Sequence, residues 1–496
     1  MIPFKRRAKR WTAWMVMALM LKPALGLADS SWMESGDLAM RLDLQLLNDA
    51  EVIRLPITSW PLPRAAVVHA LAQAKEHFAV NAAVSAALAR VRQGVGAHPG
   101  MHASVSLLGG EAGLLRDFDS LGRESGEASA QIGVESERYS AALRVTGVSD
   151  AEDGQTVRLD GSHATLRLGN WLLSANALDR WWGPGYDGSL ILSNNARPMP
   201  GVLLERATAL PFKWRFLEWL GPWRFSLGVS RMETERLDID SPLFLAMRFT
   251  VMPFKDVEFG FLRTAQFCGE QLACDFSSIT EMFIGNDNIG IDASAANEPG
   301  NQMAGFDIRW TSPIGNLPYA IYSQMIGEDE SSYLPVKYLA QFGIEAWKPL
   351  TQGGIVHGFV EYADTTCSAV SSSGPYYNCA YNQTKFIIEG YRYRGRVIGH
   401  TTDADSRSLV IGANYTSADG DLWSLRARAA ELNRDGTDGR NTVSPVATDY
   451  ASLEFGWRGR LFGEQISIEA GLEATELPQE DRELQPYGFI SWRHAF

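Results

Sequence analysis

Two clusters in this 496-residue chain combine aromatic rings with arginine and amide groups at close spacing. The first is Arg180, Trp181 and Trp182 followed by Tyr186, running on through Asn194, Asn195 and Arg197 to Pro200. Sugars present C–H faces on one side and hydroxyls on the other, so rings flanked by bidentate hydrogen-bonding groups suit a polysaccharide. The same residues equally fit an interior plug, with Trp181 and Trp182 packing and Arg180 and Arg197 paired to acids. The second cluster, Tyr391, Arg392, Tyr393, Arg394 and Arg396, can grip carboxylates or phosphates while stacking on rings, which suits an acidic polymer. Its plainer reading is pairing with Asp403, Asp405 or interior glutamates. A third group, Asp287, Glu298, Glu328, Asp329 and Glu330 with Asn286 and Asn288, offers oxygen ligands. Its spacing matches no calcium loop, and solvated loop charges are the expectation.

Nothing in the chain spells a catalytic set. His102, His163, His357, His400 and His494 lie beside no Gly-x-Ser-x-Gly or comparable nucleophile motif, so no enzyme is expected. The four cysteines fall as two close pairs, Cys268 with Cys274 and Cys367 with Cys379, which read as local disulfides of an exported chain. Neither pair has zinc-site spacing, and no metal or cofactor is expected.

The elements that must hold these clusters are strands. The carboxy-terminal run from Tyr487 to Phe496 alternates in hydrophobicity, with Ile490, Trp492 and His494 on the face of Phe496 and Ser491, Arg493 and Ala495 on the other, as the last strand of an outer-membrane β-barrel does. Further strands share the split. In 423–430 Leu425 and Ala427 oppose Arg426 and Arg428; in 451–458 Leu453 and Phe455 oppose Ser452 and Glu454; in 466–474 Ile468 and Leu472 oppose Glu469 and Glu473. A polar, charged lumen follows. Short connections at 137–138, 169–170, 221–222, 252–255, 312–316, 348–353, 418–421 and 458–463 alternate with long polar ones at 110–126, 149–156, 179–201, 233–242, 267–300, 327–335, 364–404, 433–446 and 475–485. Together they join about eighteen antiparallel strands across 97–496, with the long loops on the extracellular side. A short helix within 212–223 is the open alternative there.

The amino-terminal residues differ. Five basic residues between Lys5 and Arg10 precede an apolar run that is too short to span a bilayer, and residues 1–28 read as a cleaved signal peptide. The remainder carries 39 Lys+Arg against 58 Asp+Glu, a formal −19, which argues against nucleic acid as a partner. Residues 29–96 show helical periodicity. Helices are expected at 36–50, capped by Ser35, at 62–74 and at 76–93, forming a periplasmic bundle.

Several motifs together resemble the Wzi-type capsule-assembly proteins, outer-membrane lectins. They are 42–50 followed by Trp60-Pro61-Leu62, Gly169-Asn170-Trp171, the 180–200 stretch, 285–288 with 298–302, 327–330 and 391–400. The resemblance spans nearly the whole mature chain. It implies an eighteen-stranded barrel, helices that help close its periplasmic side, and attachment of capsular or exopolysaccharide through extracellular loops without catalysis. The implied partners are that polysaccharide and outer-membrane lipid, around a monomeric barrel. Glu51 departs from an expected glycine and His163 from an expected aromatic. A porin-like channel for small solutes or glycans is the alternative function, and it requires an open lumen.

Overall fold

Residues with no side-chain bulk or with β-branched and aromatic side chains dominate from residue 100 onward, and their period of two builds a barrel. The computed structural model describes residues 32–496 except 77–80, 96–99, 238, 270–273, 275–299, 313–317, 328–329, 332–333, 336, 369–373, 380, 383–388, 440 and 479–480. The signal-peptide reading and most of the acidic group, Asp287, Glu298, Glu328 and Asp329 with Asn286 and Asn288, therefore lie outside the described residues.

Among the described residues eighteen antiparallel strands close into one barrel. They are β1 Gly100–Glu111, β2 Gly126–Glu135, β3 Tyr139–Ser149, β4 His163–Leu168, β5 Trp171–Asn176, β6 Gly201–Arg206, β7 Trp223–Arg231, β8 Leu243–Phe254 and β9 Val257–Phe267. The second half comprises β10 Gly300–Thr311, β11 Tyr319–Gly327, β12 Tyr338–Pro349, β13 Ile355–Asp364, β14 Arg407–Thr416, β15 Leu422–Leu432, β16 Thr448–Leu461, β17 Glu464–Glu476 and β18 Glu483–Ala495. A two-residue piece, Val157–Arg158, pairs with Gly147 and Thr146 and extends β4 past a break at 159–162. β18 closes on β1 with His494 opposite Val105.

The alternation reads as expected. Leu425, Leu453, Phe455, Ile468 and Ile490 are exposed on the outer wall, while Arg426, Arg428, Glu454, Glu469 and Glu473 are buried inside. Apolar groups thus face lipid and charges face the lumen, which is the only arrangement that leaves neither stranded. Both disulfides form in long connections, Cys268–Cys274 and Cys367–Cys379. One connection differs from the sequence reading. β6 ends at Arg206, so residues 207–222 make a long link at the short-turn end in place of a turn at 221–222. It holds a short 3-10 helix, Glu218–Leu220, and Phe212 stacks on Trp223 at 4.3 Å.

Among the described residues three helices precede the barrel: α1 Leu38–Asp49, α2 Arg64–Ala72 and α3 Ala82–Val95. Asp37, not Ser35, caps α1, its Oδ1 accepting the Met40 N–H at 3.0 Å. From Arg41 to Asn48 the polar positions of α1 are buried along with its leucines. A helix buried all round must sit inside something, and here it enters the lumen. Asp49 accepts two hydrogen bonds from Arg309 (2.6 and 2.7 Å) and one from the Trp347 indole (3.1 Å), both on the barrel wall. Arg54 donates to the Met252 carbonyl near the end of β8, and Arg90 to the Ser417 and Ala418 carbonyls of a short turn. Glu51 holds φ at 59°, a left-handed conformation that glycine adopts without strain, which explains why a glycine is expected at that position.

Candidate functional site at the loop-side mouth

After Asn176 the chain leaves the wall, and it rejoins at Gly201, which pairs with Asn176. Between them it folds into the lumen. Trp181 and Trp182 pair in antiparallel register with Trp60 and Ser59 of the amino-terminal part, and both indoles are buried. The Phe118 ring, from the 112–125 loop, meets Trp60 and Trp181 edge-on at 5.7 and 5.4 Å. Arg41 of α1 lies over the Phe118 and Tyr186 rings at 4.4 and 4.3 Å and donates to the carbonyls of Pro184 and Gly185 at 2.7 and 2.8 Å. One continuous core therefore joins α1, two inserted loops and the wall residues Tyr322, Trp347 and Phe359.

The wall supplies polar sockets for this core. The Glu361 carboxylate accepts the backbone N–H groups of Tyr186, Asp187 and Gly188 at 2.8, 3.2 and 3.0 Å and the Tyr322 hydroxyl at 3.0 Å. Tyr186 donates its hydroxyl to Glu345 at 2.6 Å. Three consecutive N–H groups on one carboxylate satisfy donors that no strand partner is present to take. Gly188 is required by close approach, since a Cβ there would lie 2.1 Å from His400 Nε2. Beside these sockets, Arg426 and Arg428 meet Asp117, Asp187 and Glu454, and Arg428 holds Asp187 at 2.7 Å. Burial pushes the Asp187 and Asp119 carboxyls up to about 6 and pulls the His400 imidazole down to about 4.

The two clusters singled out in the sequence come together here, but most of their members face inward. Trp181, Trp182, Tyr186, Asn194 and Asn195 are buried, in the plug arrangement. Arg180 donates to Asn176 Oδ1 at 2.7 Å, an amide in place of an acid, and Arg197 pairs with Asp153 and with Asp160 at 2.8 and 2.9 Å. Those two acids belong to the 150–162 segment at the mouth, not to the lumen. In the second cluster Tyr391 donates to the Ile191 carbonyl at 2.7 Å, and Arg392 grips Asp403 through two bonds of 2.7 and 3.0 Å, one of the expected pairings.

The 180–200 segment also builds the shelf for that second cluster. Asn195 donates to the Val397 carbonyl at 3.0 Å and the Ser193 N–H to Ile398 at 2.9 Å. Arg392–Tyr393 and Arg396–Val397 pair as a minimal hairpin. Its two central residues, Arg394 at φ 50° and Gly395 at φ 78°, both take positive φ, which a type I′ turn demands. The turn lifts Gly395 into solvent and leaves Arg394 and Arg396 half-buried beside Tyr393. Arg396 meets Glu152 at 2.8 Å, and Arg394 lies 3.9 Å from Asp153.

Sequence reasoning missed Arg41, Phe118, Glu345 and Glu361. Phe118 carried a signal: an aromatic between Asp117 and Asp119, in a loop opposite the inward arginines of β15, is poised to enter a charged lumen. Arg41 carried none, because its partners are backbone carbonyls more than a hundred residues away.

A closed barrel filled by its own loops and by an amino-terminal helix defines the class, a plugged outer-membrane β-barrel. The family model for capsule assembly protein Wzi matches residues 101–486, and the chain belongs to that family. A Klebsiella pneumoniae relative, described as an uncharacterized 55.8 kDa protein in the cps region, is 28% identical over 450 residues, covering 89% of this chain and 85% of its own. The solved structure of Wzi from Escherichia coli, described as an outer-membrane protein involved in group 1 capsule assembly and a carbohydrate-binding β-barrel, matches with a TM-score of 0.81. It is 24% identical and the match covers 94% of this chain and 100% of that one, a likeness of fold. The bacterial outer membrane is where this protein works.

Proposed function

We propose that this protein is a surface lectin that binds capsular or exopolysaccharide and anchors it at the cell surface during capsule assembly. Family membership supports the carbohydrate, and the observation that carries the site is the turn at Arg394, Gly395 and Arg396, raised at the mouth on a shelf built by Asn195 and Ser193. Arginines beside Tyr393 can exchange the mouth carboxylates Glu152 and Asp153 for the carboxylates of an acidic polymer. Each such contact is weak, and repetition along a polymer multiplies them. Trp181, Trp182, Tyr186, Asn194, Arg180 and Arg197 serve this reading as the rigid support beneath the turn. The continuous core across the lumen favours an anchor over a porin-like channel.

The test is binding of the producing strain's own purified polymer to the protein in detergent. Replacing Arg394 and Arg396 together with Ala is expected to weaken binding by roughly tenfold or more, since two weak contacts repeat along the chain. The variant should keep its heat-modifiable folded band on gels. Unchanged affinity in a folded double variant would overturn the assignment, and a large steady current in planar bilayers would favour the channel.

A further inference from the structure

On the outer wall one row of residues is unusually small. Ala141 of β3, Ala164 of β4 and Ala175 of β5 stand directly opposite one another across three adjacent strands, and Val134 of β2 and Val202 of β6 continue the row on either side. Ala164 and Ala175 point outward, exposed. Bulkier outward positions flank it: Ile132, Leu143 and, beyond Ser162, Leu159 toward the loop side, and Leu166 and Leu173 toward the turn side, the isoleucine and the four leucines all exposed. Small side chains between two bulky rows make a trough, and the wall here holds an apolar recess of about 770 Å³. With strands about 4.8 Å apart, the row from Val134 to Val202 runs roughly 19 Å. Because barrel strands tilt by about 35–45°, it crosses the membrane obliquely.

We infer that this trough is a binding site for one acyl chain of a bilayer lipid. The occupant follows from continuity with the lipid-facing wall and from chemistry. The backbone groups of β3, β4 and β5 along the row are engaged in the ladder, the side chains at its open face are mainly Ala, Val, Leu and Ile, and the Ser162 hydroxyl there is already taken up by the Arg144 backbone at 2.9 and 3.1 Å. A sugar or peptide laid there would lose hydrogen bonds to water and regain none, whereas methylene groups lose nothing. A chain seated in the trough touches protein on both flanks, unlike lipid resting on the filled wall around Leu453 and Phe455. The recess ends against Ala177 and Pro200, the two points where the plug segment leaves and rejoins the wall.

Native mass spectrometry of the full-length protein released from nanodiscs of palmitoyl-oleoyl phosphatidylethanolamine tests this. The wild type is expected to retain one lipid at collision energies that strip all others. Ala164→Phe fills the trough and should lower that retained fraction about tenfold, the effect of excluding a few buried methylenes. Ala427→Phe, on the outer wall of β15 away from the trough, should retain the lipid fully, and a heat-modifiable band checks that each variant is folded. Ala175→Leu replaces the first variant should it not fold. Exchange of the headgroup for phosphatidylglycerol should leave retention unchanged. Equal retention by wild type and folded Ala164→Phe, equal loss in Ala427→Phe, or retention that follows the headgroup overturns the site.

Discussion

Replacing Arg41 with Met tests whether α1 holds the plug in place. Met keeps most of the stem volume and removes the guanidinium, so the loss is electrostatic more than steric. Two charge-assisted hydrogen bonds, to Pro184 and Gly185, disappear, at about 1.5–3 kcal/mol each. Against that stands a relief. Arg41 Nη1 is buried with no hydrogen-bond partner, and removing it recovers about 1–3 kcal/mol. Gly185 keeps one donor, the Trp181 indole at 2.9 Å, while Pro184 is left with an unmatched carbonyl. At mid-range the difference is about 2.5 kcal/mol, or a roughly 70-fold rise in the population of plug-open molecules. Hydrogen exchange read by mass spectrometry over 181–190 should report it directly, with peptides from 448–461 of the wall unchanged. If protection over 181–190 falls by less than about threefold, the helix does not clamp the plug and the core is held by the wall sockets alone.

Two further perturbations follow from backbone and charge. Glu51→Gly removes a side chain from a left-handed position, which costs about 1 kcal/mol, and gives up only the exposed Lys255 pair; the amino-terminal part should become slightly more stable in thermal unfolding, and clear destabilisation would contradict the strain. His400, held neutral by burial with its pKa pulled from 6.5 to about 4, lends stability that is complete above pH 6.5 and is lost as pH falls toward 4, by up to about 3 kcal/mol. Asp187, raised to about 6, works in the opposite sense, gaining stability as pH falls through 6. Comparing wild type with His400→Gln therefore isolates the imidazole: protection over 186–191, taken relative to the intrinsic exchange rate at each pH, should fall less between pH 7 and 5 in the variant, and parallel curves would refute the assignment.

Much of the barrel was legible because lipid outside and charge inside impose a period of two on every strand. Leu425 against Arg426, or Leu453 against Glu454, can be read from adjacent residues alone. The 207–222 link was not, since Phe212, Trp214 and Phe216 alternate as a strand would, yet the β6–β7 ladder ends at Glu205 opposite Ser226 and releases them. The choice between ligand surface and plug at Trp181 was illegible for a different reason. It depends on Trp60, Phe118 and Glu361, which lie far away in sequence and which local pattern does not place beside it. The hairpin carrying Arg394 and Arg396 has a local signature, a glycine that permits a tight turn after the Tyr391-Arg392-Tyr393 arm.

The pairing of Trp181 with Trp60 bears on the order of assembly. A closed ring of strands admits no chain from the side, and the Trp60 segment meets the 180–200 segment inside that ring, 121 positions apart in the chain. The ring itself is sealed by its first and last strands, β1 against β18. The peg must accordingly be seated before the seam is joined, or enter afterwards through the short-turn end where Arg54 and Arg90 fasten it. Either route makes the amino-terminal helices a gauge of completed assembly: a barrel sealed without them lacks the Arg41 and Trp60 contacts that hold the plug segment.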